Sequence, residues 1–242
     1  METVYIIDGV RTPIASFQGS LTPVSAVELA KLTITELLKR SKVSPELVDE
    51  VIIGNVLQAG VGQAPARQAA LKAGLPASIA AVTVNKVCGS GLKAAMFADQ
   101  AIRCGDAKAI VAGGMENMSA APHLAKGLRG GVKLGDTQLV DAMVLDGLTC
   151  SFESCHMGMH AEHIAKKFDV TRQDQDEFAF LSPPRAANAL ASPRSWSKTP
   201  PPTPPSRWEW SSRSAACRTS HCGRPTPPNL PPSSQRASRR LR

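Results

Sequence analysis

One thiol stands where an enzyme would place a nucleophile. Cys88 follows the apolar run Ala81-Val-Thr-Val-Asn-Lys-Val87 and precedes Gly89-Ser-Gly91 and a stretch of small residues. The pattern predicts a strand, a tight turn and a helix, with the thiol at the helix start. The unpaired N–H groups there carry about half a positive charge and favour a thiolate. Gly89 and Gly91 leave room for a substrate to approach the backbone. A thiolate so placed is fit for nucleophilic catalysis. A buried cysteine with only a packing role fits the local sequence as well.

Other chemistry-bearing groups are weaker. Cys150, Cys155 and His156 bring two thiols and an imidazole close in sequence. Their spacing fits no standard pattern and no fourth ligand is evident, so no metal site is expected. Cys217 with His221 and Cys222 carries less still. Gly60-Val-Gly62 lacks the third glycine and the Gly-Lys-Ser/Thr of a phosphate loop.

The elements that must position Cys88 alternate. Strands are predicted at Val4–Asp8, Val51–Val56, Ala81–Val87 and Ala109–Ala112. Helices are predicted behind the capping box Ser25-Ala-Val-Glu28, from Ser44-Pro45 through Asp49, over 64–73 and over 91–103. Such alternation implies a largely parallel sheet with helices on both faces. The helix after Cys88 is apolar nearly all round, which predicts burial between layers. Residues 115–160 show little periodicity, and helices are expected again over 161–168 and 173–190.

Composition splits the chain in two. Residues 192–242 hold 11 of the 19 prolines, all three tryptophans, ten Lys/Arg and one acid, Glu209. The tail is +9 of the total +8, which leaves residues 1–191 at −1. So few aliphatic residues cannot offset ordering entropy, and this tail is expected to be disordered. Its basic residues are scattered, so nucleic-acid binding is not expected. No apolar run approaches the roughly 20 residues of a membrane span. Without a signal or transit segment, reduced thiols and a cytoplasmic setting are the default.

Four motifs occur together: Asp8-Gly-Val-Arg-Thr-Pro13, Val84-Asn-Lys-Val-Cys-Gly-Ser-Gly91, Ala112-Gly-Gly-Met-Glu-Asn-Met-Ser119 and His156-Met-Gly-Met159. In order and spacing, residues 3–191 resemble the thiolase family, and most of all its biosynthetic, acetyl-CoA-condensing branch. The resemblance implies an acetyl-CoA C-acetyltransferase with Cys88 as the acylated nucleophile. Two acetyl-CoA would give acetoacetyl-CoA and CoA through an acetyl-cysteine. It implies that Leu148, His156 and Met157 line the CoA pocket. It implies a homo-oligomer, dimer or tetramer, assembled through the 127–135 loop. No cofactor is expected, because the CoA thioester is the substrate. Degradative 3-ketoacyl-CoA cleavage is the alternative reaction, and an inert partner of full-length subunits the alternative role.

The implied fold is the N-terminal half of a thiolase-like α/β fold (residues 1–117), the start of the CoA-binding and oligomerisation loop domain (118–191) and the tail (192–242). The family's later motifs, Gly-His-Pro, Asn-Glu-Ala-Phe and Cys-x-Gly-Gly, are absent from these 242 residues. The abrupt change near Ser192 has the composition of a GC-rich gene read out of frame. Another frame of the coding DNA is then expected to encode those motifs. In the family a second, similar half covers the helix after Cys88. Without it, that helix should expose a large apolar patch.

Overall fold

The computed structural model describes residues 3–191, with side chains through residue 188. The tail expected to be disordered lies outside the described residues. Three parallel strands form the sheet: β1 (Glu50–Gly54) in the centre, flanked by β2 (Ala80–Val84) and β3 (Ile110–Gly114). The register sets Val51 beside Ala81 and Val111. This order places the ends of β2 and β3 on either side of Gly54.

Helices cover both faces. On one side lie α1 (Ala26–Ser41) and α2 (Pro65–Lys72). The Ser25 hydroxyl caps α1 by accepting the Glu28 N–H at 3.2 Å, as the capping box predicts. Val27, Ala30 and Ile34 recur at helical spacing and pack on Val51, Ile53 and Val111. Pro65 starts α2 without sacrificing a needed donor. The Ala66 N–H donates to Thr83 Oγ1 at 3.0 Å, which pins the start of α2 to β2. Burying Val51 and Ile53 contributes about 1.5–3 kcal/mol each.

On the other side lies α3 (Ser90–Cys104), closed by Gly105 in the left-handed region. Small residues let it sit close to the sheet. A Cβ on Gly54 would meet the Ser90 backbone carbon at 2.5 Å, and one on Gly114 would meet Gly91 Cα at 3.3 Å. Ala94 and Ala98 are buried, but Leu92 is 72 % exposed and Met96 and Phe97 face solvent in part. Burial between two layers is therefore not found. One face of α3 packs on the sheet, and among the described residues nothing covers the other.

Several sequence expectations need correction. Val4–Asp8 is not a strand: residues 3–16 join no ladder, and Tyr5, Ile6 and Ile7 are 78 %, 93 % and 70 % exposed. Apolar residues alone do not make a strand; a neighbouring edge must accept its hydrogen bonds. The segment is held instead by an ion pair, Arg40 Nη2 to Asp8 Oδ1 at 2.9 Å. The Ser44-Pro45 helix is a single 3₁₀ turn, Pro45–Leu47. β2 ends at Val84, because Asn85–Gly89 fold into a turn. The stretch 115–160 is more regular than its sequence suggests. It holds the antiparallel pair β4 (His123–Ala125) and β5 (Leu139–Asp141), and a π-helical turn, Met143–Leu148. Two further helices follow, α4 (Met157–Lys167) and α5 (Arg172–Ala191). No helix among the described residues is long and apolar enough to cross a membrane.

Candidate active site

The β2–α3 turn carries Cys88 and is tightly bonded. Asn85 Oδ1 accepts the Val87 N–H at 2.9 Å. Ser90, only 4 % exposed, accepts the Lys86 N–H at 2.8 Å and donates its hydroxyl to the Val87 carbonyl at 2.6 Å. The Gly89 and Ser90 N–H groups return to the carbonyls of Lys86 and Val87. This network forces Val87 to φ 46°, a conformation that a β-branched residue adopts only under strain. The result is a thiol on an over-determined corner. Cys88 is exposed, and among the described residues its thiol makes no hydrogen bond or ion pair. It lies immediately before the N-cap of α3, Gly89. The thiol is accessible, and a buried packing role does not fit this geometry.

The Ala112–Ser119 motif shores up that corner from β3. Gly113 and Gly114 let the chain pass α3 at Gly91. Met115 is buried in the core. The Glu116 carboxylate accepts the N–H groups of Val56 (2.9 Å) and Leu57 (3.2 Å) and the Asn55 amide (2.8 Å). Burial pushes the Glu116 carboxyl above its ordinary value, against those three bonds. The Asn117 amide donates to the Val24 carbonyl at 2.7 Å, and Ser119 Oγ accepts the Gln18 N–H at 2.8 Å. The motif thus clamps the loop before α1 and the loop after β1 to the same edge of the sheet as Cys88. Asn55 is missed by the sequence reading; a lone amide following the apolar run Val51-Ile-Ile-Gly54 is the signal that points to it.

The three residues predicted to line a CoA pocket come together. Thr149 and His156 pair as an isolated antiparallel bridge, which sets the end of the π-helical turn that carries Leu148 beside the start of α4. Leu148 closes the π-helical turn and is half-buried, whereas Met157 is 46 % exposed. His156 is the N-cap of α4: its Nδ1 accepts the Gly158 N–H at 3.0 Å, which leaves Nε2 for any other contact. No hydrogen bond or ion pair among the described residues joins this group to Cys88. Two concavities, of about 240 and 160 Å³, lie against α1 and are lined by none of these four residues.

A second cluster sits beside His156. Glu153, Cys155 and His160 converge, while His156 is engaged in capping. The Cys150 sulfur accepts the backbone N–H groups of Glu153 and Phe152 and contacts His160, which together hold its thiol below the ordinary value. Loss of water contact, then the Glu153 carboxylate, push the Cys155 thiol up.

Residues 4–194 match the family described as thiolase, N-terminal domain. An acetyl-CoA acetyltransferase of Cupriavidus necator is 53 % identical over 189 residues, 78 % of this chain and 48 % of that protein. The cytosolic acetyl-CoA acetyltransferase of Rattus norvegicus is 51 % identical over 188 residues, 78 % of this chain and 47 % of its own. Among solved structures, the Acat5 thiolase of Ascaris suum in complex with coenzyme A superposes with a TM-score of 0.74 at 43 % identity, covering 77 % of this chain and 48 % of that one. The chain spans about half the length of the curated relatives it matches. A parallel α/β layer with a motif-borne thiol at its β2–α3 corner, matched over nearly four-fifths of its length, belongs to the thiolase family.

Proposed function

We propose that this chain carries the acyl-accepting half of an acetyl-CoA C-acetyltransferase, with Cys88 as the nucleophile. The observation that supports it most is the exposed thiol on a strained, fully bonded corner at the start of α3. The Cys88 sulfur, as thiolate, attacks the thioester carbonyl of acetyl-CoA. A tetrahedral oxyanion forms and the backbone N–H of Cys88 stabilises it. The bond to the CoA sulfur then breaks, and CoA leaves with the proton that Cys88 gave up. The product is acetyl-Cys88, ready for condensation with a second acetyl-CoA. The thioester is a substrate, and the step needs no cofactor.

Leu148, His156 and Met157 form one wall for the pantetheine arm and acyl end. Their pairing across the Thr149–His156 bridge supports that reading. The 127–135 loop, exposed throughout on the β4–β5 stem, is the surface through which subunits assemble into dimers or tetramers. The cytosolic rat relative supports a cytoplasmic setting. Proton transfer in the condensation calls for the family's second-half motifs, and the step supported by this chain's own residues is the first transfer.

Incubation of the full chain with radiolabelled acetyl-CoA tests this. We expect slow single-turnover labelling on the peptide bearing Cys88, no acetoacetyl-CoA, and no label in Cys88→Ala. Label on a different residue, or none after prolonged incubation at saturating thioester, overturns it.

A further inference from the structure

We propose that Glu153, Cys155 and His160 form a zinc site at the base of α4, with the fourth tetrahedral position open to solvent. Three donor atoms already stand at the separations that a bound ion would impose. Cys155 Sγ lies 3.5 Å from His160 Nε2 and 3.9 Å from Glu153 Oε2, and the last two are 3.7 Å apart. Zinc bonds of about 2.3 Å to sulfur and 2.0–2.1 Å to nitrogen and oxygen give tetrahedral edges of roughly 3.3–3.6 Å. Movements of a few tenths of an ångström close the site.

The turn that presents these ligands is built independently of any ion. The Cys150 N–H donates to the Cys155 carbonyl at 2.8 Å, and the Ser154 N–H to the Cys150 carbonyl at 2.9 Å. The Thr149–His156 bridge seals its mouth. A thiol and an imidazole favour zinc over calcium or magnesium. A carboxylate packed against a thiol also leaves negative charge that a cation offsets. His160 escaped the sequence argument because His156, the nearer imidazole, is engaged in capping α4. The site shares no residue with the acyl-transfer reading and stands or falls apart from it.

The test uses the full chain, reduced and metal-free, with Cys217→Ser, His221→Ala and Cys222→Ser to silence the tail. Zinc alone is titrated against a chromophoric chelator, and cobalt is substituted for its visible spectrum. We expect one equivalent of zinc and the intense visible bands of tetrahedral, thiolate-bound cobalt. Cys155→Ser and His160→Ala should each weaken binding by about 100-fold or more, with the far-ultraviolet dichroism unchanged. The proposal is overturned by affinity that ignores these changes or by a weakly coloured octahedral cobalt spectrum.

Discussion

Two stretches of this chain solve burial differently. From α1 to β3, helices pack on both faces of a sheet, and Val51, Ile53, Ala66, Ala69 and Ala94 are almost wholly enclosed. From Gly127 to Asn188 the side chains are mostly open to water. Every described residue of α5 is exposed, and Pro183 and Pro184 interrupt its interior. The first stretch sets the Cys88 corner by packing. The second holds its shape through local hydrogen bonds such as those of the Cys150–Cys155 turn. In the first, then, substitutions should propagate to the nucleophile; in the second they should stay local.

The sharpest way to break that contrast is Gly54→Ala. The new Cβ would lie 2.5 Å from the Ser90 backbone and must displace α3. We expect a loss of about 3 kcal/mol or more, read by denaturant unfolding, together with loss of acetyl labelling at Cys88. Next comes a matched pair. Ile53→Ala, at 4 % exposure, should cost about 3 kcal/mol, whereas Ile164→Ala, at 50 % exposure, should stay within about 0.5 kcal/mol. Equal costs would refute the contrast. Val87→Gly relieves a left-handed φ at a β-branched residue and should stabilise the chain by about 1 kcal/mol while slowing labelling.

The smallest effect concerns Glu116. Burial raises its carboxyl above the ordinary 4.5, so the folded chain binds that proton more tightly than the unfolded one. Its contribution to stability is full below about pH 4.5 and is lost as pH rises through the raised value. Glu116→Gln should flatten that decline in urea midpoints; an unchanged slope would place the titration elsewhere.

Much of the packed layer was legible in the sequence. Ser25 and Glu28 announce α1 by their spacing, and Gly105 ends α3 as its type requires. The thiol corner was legible because glycine, serine and cysteine each do local work there. What failed depended on distant partners. Tyr5 to Ile7 look like a strand until one asks which edge would receive them. β4 and β5 are too short for periodicity to reveal, and only their pairing defines them. His160 joined Cys155 because the helix began four residues before the predicted start and its cap consumed the neighbouring imidazole.

Because Cys88 stands in open water on a rigid corner, a bulky maleimide reaches it as readily as a small one. Alkylation at that sulfur therefore works as a gauge of enclosure. Whatever polypeptide or ligand later roofs the turn will announce itself by making the reaction depend on reagent size.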